Sequence, residues 1–267
     1  MVKSVQDNFD LTMAGLEAGL LVRHIATFDL RTCSVDDPAI EVLDDPFLSD
    51  FDYIPVRGKA GSIVGVLGRV VQPVAGHVAG VMRTLEESLV VSAAAPLISF
   101  VRMAGTAPYK LVLTESGIEG IVTRSDLLKL PVRLLLFALV THLEMLMSEV
   151  IRTRYRSGDE TWLDVLSEGR RDKVTDKRAE LKRLRREPEL LELTDFCDKR
   201  DIVEALAALG ATFDGEMKDI ELLRNTLAHA GTFINDDNEL HLLSRNVEAA
   251  EKWIAQLRSV IGENITR

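Results

Sequence analysis

A strand-turn-strand unit occurs twice in the first half of this chain, and that repetition limits the folds open to it more than any other feature. Residues 53–56 (YIPV) and 62–67 (SIVGVL) are short β-rich runs on either side of the turn signal RGKAG. Residues 109–113 (YKLVL), 114–117 (TESG) and 118–122 (IEGIV) repeat the arrangement. Tyr53 aligns with Tyr109 and Val56 with Val112 at an offset of 56; Ile63 aligns with Ile118, Gly65 with Gly120 and Arg69 with Arg124 at 55. One residue fewer in the second turn accounts for the change. Each copy follows a helical stretch, 37–43 and 95–103, with a proline near its start. Self-similarity of this kind marks a repeat architecture.

From Pro131 onward the period changes. Pro131 suits a helix N-terminus, and apolar residues recur at helical spacing to about Tyr155. Further helical segments are expected over 161–166, 173–186, 202–209, 217–229 and 247–261, with Gly158, Pro188, Gly210 and Gly231 as punctuation. The fold class is therefore α+β: a tandem α/β module over 1–130, then an all-α bundle over 131–267. Apolar residues make up 46% of the chain and charged residues 28%, enough to bury a core in each.

The formal net charge of −10 opposes non-specific coating of nucleic acid, and 5% aromatics gives few stacking platforms for bases. Charge is unevenly spread. Residues 170–186 hold nine Lys/Arg and three Asp/Glu, a local +6, which leaves −16 for the remainder. This strip is either a solvated, ion-paired helix face or a track for phosphates. Cys33 and Cys197 are expected to be reduced core thiols. The apolar run 134–140 is too short to span a bilayer and reads as a buried helix; with an N-terminus unlike a signal peptide, a cytoplasmic protein that avoids membranes is expected. His24, His77, His142 and His241 lack partners at useful spacing.

The second copy ends on Gly120-Ile-Val-Thr123-Arg124-Ser-Asp126 followed by Leu-Leu. A strand end feeding a helix start presents free backbone N–H groups that suit phosphate. Thr123 can cap that helix or bond a phosphate, Arg124 can contact phosphate, and Asp126 can accept from both hydroxyls of a ribose. The same Thr123-x-x-Asp126 spacing is also a capping box that needs no ligand. The first copy has Gly68 and Val71 at the matching positions, which removes the ribose contact. Over about residues 20–130 the unit resembles a pair of CBS (cystathionine β-synthase) domains. That resemblance implies a regulatory adenine nucleotide (ATP, ADP or AMP) between the repeats, with Gly120, Thr123, Arg124 and Asp126 as binding residues.

Near the chain's end stands Glu221-Leu-Leu-Arg224-Asn225-Thr-Leu-Ala-His229-Ala-Gly231. Asn225 and His229 are i and i+4, so one helix face would carry both. Arg224 lies about 140° from His229 on an ideal helix, beside the apolar stripe Ile220, Leu223 and Leu227. Histidine moves protons near neutral pH, and arginine offers a permanently charged fork to phosphate oxygens. The bland alternative has Arg224 paired with a bundle carboxylate such as Glu144, and His229 simply ending the helix. In its helical setting the motif resembles the Rx4-6H signature of HEPN domains. That resemblance implies a metal-independent endoribonuclease, with Arg224, Asn225 and His229 as catalytic residues at a homodimer interface and RNA as substrate. No catalytic cofactor or metal is expected, since His/Cys clusters and H-E-x-x-H arrangements are missing from the sequence.

Overall fold

Alternating apolar runs broken by glycine turns fold the first half into two small mixed sheets, and long amphipathic runs fold the second half into helices. The computed structural model describes residues 2–69, 75–155, 158–206, 212–229, 234 and 236–265. Val71, Gly210 and Gly231 lie outside these. By internal contacts the chain forms two units, Ala14–Val132 and a helical one that takes Arg133–Arg267 together with Met1–Met13. The N-terminal helix α1 (Val2–Gly19) has no counterpart among the sequence expectations.

In the repeat unit the first copy comprises β1 (Cys33–Ser34), α2 (Ala39–Asp44), β2 (Tyr53–Arg57) and β3 (Ile63–Gly68), with β4 (Arg83–Thr84) completing the sheet order β1-β2-β3-β4. The second comprises β5 (Val90–Ser92), α3 (Leu97–Arg102), β6 (Tyr109–Thr114) and β7 (Gly117–Thr123), in the order β5-β6-β7. In both copies the first strand pairs parallel with the second, and the second pairs antiparallel with the third. The registers match residue for residue. Val56 faces Gly65 as Val112 faces Gly120, and Tyr53 faces Gly68 as Tyr109 faces Thr123. A bulge follows Val56 in one copy and Val112 in the other. Arg57 opposite Ile63 closes the first turn; the equivalent pair, Leu113 opposite Ile118, is one residue closer in sequence, as the offsets require, and is followed by a further pair, Thr114 and Gly117. Gly61 (φ 82°) and Gly117 (φ 123°) supply the positive φ that these turns need.

The segment leading into each copy packs on the other copy's hairpin. Thr27 exchanges two backbone hydrogen bonds with Ile121 of β7, while Arg83 of β4 pairs with Val66 of β3. Val22, Arg23 and Leu97 donate to Ala95, Ala93 and Leu20; Val78, Ala79 and Ala39 donate correspondingly to Asp37, Val35 and Gly76. Phe28 lies over Gly120, where a Cβ would stand 3.1 Å from its ring and from the Val112 Cβ. At Gly65 a Cβ would stand 2.5 Å from the Arg83 carbonyl oxygen. These two glycines are thus demanded by close approach rather than by a ligand. The hairpins meet through Ile63, Val66, Leu111 and Ile121, and the equivalent tyrosines Tyr53 and Tyr109 lie 4.5 Å apart between centroids.

Among the described residues the helical unit contains α4 (Leu130–Arg154), α5 (Glu168–Arg183), α6 (Phe196–Leu206), α7 (Phe213–Ala228) and α8 (Asp237–Ile265), and no strand. The segment expected over 161–166 is a 3₁₀ turn, Thr161–Val165. Helix α6 begins before the expected 202 and α8 before 247, because charged and polar residues occupy many of their early positions. The 25-residue α4 is long and apolar enough to cross a membrane by length and composition, unlike the shorter run read from the sequence; yet 61% of its apolar window is buried, as a core helix requires. Leu135, Leu136, Leu139, Leu143 and Met147 line its buried side. Helix α7 buries Phe213, Met217, Ile220, Leu223 and Leu227, and Phe213 meets Trp253 of α8 edge to face at 4.8 Å.

Candidate functional site

Helix α6 carries three successive charged residues, Asp198, Lys199 and Arg200, at 1%, 8% and 9% exposure. Charges so buried need partners, and neighbouring helices supply them. Arg170 of α5 forks onto Asp198 at 2.8 and 2.5 Å and reaches Asp195 at 2.6 Å, which holds its guanidinium far above the usual range. Arg200 bonds Glu221 and Asp201, each at 2.8 Å. Lys199 bonds Glu144 of α4 at 2.6 Å.

Glu144 leads to the motif. Its second oxygen lies 3.7 Å from Arg224, so one carboxylate bridges Lys199 and Arg224 across α4, α6 and α7. Arg224, 37% exposed, also donates to Asn225 Oδ1 at 3.2 Å. The structure therefore brings Arg224 and Asn225 together. It does not set Asn225 and His229 on one helix face. Helix α7 ends at Ala228, and His229 has extended backbone (φ −102°, ψ 149°) with an exposed ring. The helix stops there because Arg133 of α4 takes the terminal carbonyls, donating to Leu227 O at 3.1 Å and His229 O at 2.7 Å. Both features of the bland alternative, the Glu144 partner and the helix-ending histidine, are present, and only Arg224 and Asn225 of the three motif residues are in contact. Lys199 and Arg133 escaped the sequence reading. The one available signal was four charges in a row, Asp198 to Asp201, on an otherwise amphipathic run.

In the repeat unit, Thr123 and Asp126 form a capping box at the 3₁₀ turn Arg124–Leu128. Asp126 Oδ2 accepts from the Thr123 N–H at 2.6 Å and its hydroxyl at 3.1 Å; Oδ1 pairs with Lys129 at 2.7 Å. Lys129 in turn donates to Ile25 O at 2.6 Å, tying down the leading segment. A carboxylate has about four acceptor positions, and three are occupied. The cap and the Lys129 pair thus engage most of this carboxylate within the protein. Gly120 serves the Phe28 contact, and Arg124 is half-buried. Arg69, the residue matching Arg124, donates to Leu43 O at 2.5 Å, Leu48 O at 2.7 Å and Phe51 O at 3.3 Å. That clamp holds the link from α2 to β2, so the first copy spends its arginine on structure.

The basic strip divides by side. Arg170, Arg171, Lys173 and Arg178 have carboxylate neighbours in Asp198, Asp164, Asp195 and Glu160, whereas Lys177 and the cations from Lys182 onward are exposed. Two histidines acquire partners that their spacing did not suggest. His24 Nδ1 accepts from Leu21 N–H at 3.0 Å, and His142 sits 3.5 Å from Arg258 and 3.6 Å from Asp10. Cys33 is buried and free, its thiol pushed up to about 11 by burial; Cys197 is free and half-buried. Among the described residues no group of three His, Cys, Asp or Glu is placed to hold a metal.

No family model and no curated protein matches this chain. Solved CBS-domain structures resemble its N-terminal part. The CBS domains of a transcriptional regulator from Streptococcus pneumoniae are 19% identical, over 40% of this chain and 95% of that one, with a TM-score of 0.33. The CBS domain of the bacterial CNNM/CorC family Mg2+ transporter in complex with ATP is 16% identical, over 48% and 96%, with a TM-score of 0.38. CBSX2 in complex with AMP is 18% identical, over 40% and 92%, with a TM-score of 0.35.

Proposed function

We propose that this chain is a metal-independent endoribonuclease, acting as a homodimer and regulated by an adenine nucleotide on its repeat unit. The observation that carries the reading is the Arg224–Asn225 pair, anchored from behind by Glu144 and Lys199, with the exposed His229 just past the helix end. An arginine so held engages Asn225 through Nη1 and faces Glu144 through Nη2, which leaves its remaining N–H groups for phosphate oxygens, and fixing it beforehand lowers the entropy cost of using it. Two protomers supply two histidines. One takes the proton from a ribose 2′-hydroxyl as that oxygen attacks phosphorus; the other protonates the departing 5′-oxygen. The products are a 2′,3′-cyclic phosphate and a 5′-hydroxyl. On the repeat unit, Thr123 and Arg124 would hold phosphate, and the one open position on Asp126 a ribose hydroxyl.

A second reading, a non-catalytic nucleotide sensor whose helical unit binds RNA or a protein, draws on the same carboxylate: Glu144 at 3.7 Å partly satisfies the Arg224 charge. Cleavage of mixed RNA in EDTA separates the two, comparing wild type with His229→Ala, with and without ATP and AMP. A cyclic-phosphate product made by the wild type and reduced at least about 100-fold in the variant is expected for a lost proton-transfer group. Silence of the wild type under every condition would leave the sensor.

A further inference from the structure

The last turn of α5 and the residues just after it carry Lys182, Arg183, Arg185 and Arg186, all exposed and without an ion pair among the described residues. The inward cations of the same helix are neutralised by carboxylates, so packing accounts for them and not for these four. Arg185 adds a second observation. It has φ 57°, the only non-glycine residue with positive φ among those described. Its N–H bonds Lys182 O at 3.0 Å while Arg186 N–H bonds Leu181 O at 2.9 Å, the paired bonds of a helix end whose left-handed position normally holds glycine. Glycine there would be the more stable choice, and Lys182 and Arg183 already complement the helix dipole. An arginine at that point therefore adds charge at the expense of backbone strain. Lys182 also borders a cleft of about 700 Å3 whose wall mixes Tyr155, Trp162 and Leu190 with the carboxylates of Asp159, Glu160, Glu187 and Glu189, so it has room for an uncharged base and none of the character of a phosphate site.

We infer that Lys182, Arg183, Arg185 and Arg186 form a docking ridge for the phosphate backbone of single-stranded RNA. The choice of RNA rests on the ribonuclease reading; the ridge itself does not. A membrane surface fits poorly, because an interfacial helix needs an apolar face and the ridge offers only the exposed Leu184. Duplex fits less well than single strand, since only a splayed base can enter the cleft.

Binding is measured by fluorescence anisotropy at several salt concentrations, using a single-stranded oligoribonucleotide whose 2′-hydroxyls are methylated so that it cannot be cut. Substituting all four residues by Gln is expected to flatten the slope of log K against log salt by about 2–3, near 0.7 per lost phosphate contact. Arg185→Gly alone is expected to raise the melting temperature yet flatten the slope by about 0.7, a combination that a purely structural arginine does not give. Unchanged affinity in the fourfold variant, no binding by wild type, or capture of phosphatidylserine vesicles in place of the oligonucleotide would each overturn the ridge. Binding lost in the variants with no cleavage of unmodified RNA by wild type leaves the ridge standing and removes the ribonuclease reading.

Discussion

His142 illustrates how one buried side chain sets a pH response. Its ring is 3% exposed; burial first, then the Arg258 guanidinium, lower its pKa to about 4, with Asp10 opposing. In the unfolded chain it titrates near 6.5. A group depressed in the folded state favours folding fully above pH 6.5, and that contribution falls away toward pH 4, because only the unfolded chain takes up the proton in between. Lowering the pH from 7.5 to 5 should therefore cost about 2 kcal/mol through this residue. Chemical denaturation at the two pH values, wild type against His142→Gln, checks it: the variant should lose most of the difference. Nothing in the sequence around His142 announces this, since Asp10 and Arg258 stand at opposite ends of the chain. Asp126 is the converse case. Its role as a helix cap was legible from three-residue spacing, while the Lys129 partner that occupies its other oxygen was not.

Among elements, the end of α7 depends on α4. Arg133 donates to both Leu227 and His229 carbonyls, so it fixes where the helix stops and where His229 emerges. Arg133→Ala should destabilise the helix end by about 1 kcal/mol, in line with charge at a C-terminus. If His229 is catalytic, kcat should drop roughly tenfold or more while KM changes little, because positioning and not substrate contact is lost. A kcat equal to wild type in a variant with the expected stability loss would remove Arg133 from any positioning role. Helix existence was readable here from apolar spacing such as Ile220, Leu223 and Leu227. The C-terminal end of α7 was read to within one residue, 229 expected and Ala228 observed, but the Arg133 contacts there were not, because they come from another element. The same reasoning explains α6: Asp198, Lys199 and Arg200 look solvated in sequence, and only the carboxylates and guanidinium of α4, α5 and α7 make their burial tolerable.

At the scale of the whole repeat unit, the offsets between copies foretold the matching hairpin registers and the shorter turn, but not the bulge, which both copies share. They did not foretell the exchange of leading segments, since residues 20–28 and 76–84 carry no shared motif beyond backbone pairing. The exchange has a direct test. Residues 14–132 should fold alone with dispersed amide signals, whereas 75–132 should remain unfolded, lacking the strand partner of Ile121 and the ring that covers Gly120. Folding of the shorter fragment would contradict the interdependence.

That interdependence has a genealogical consequence. In two tandem domains that fold separately, a copy whose ligand contacts have decayed can be trimmed away by deletion. Here the first copy holds Gly68 where the second holds Thr123, and turns Arg69 inward as a clamp, yet its leading segment seals β7 of the second through Thr27 and Phe28, while the segment leading into the second seals β3 of the first through Arg83 and Thr84. Losing either copy would strip an edge from the survivor. A copy that binds nothing would still be kept as scaffold for the other, free to vary elsewhere and held still at its seams.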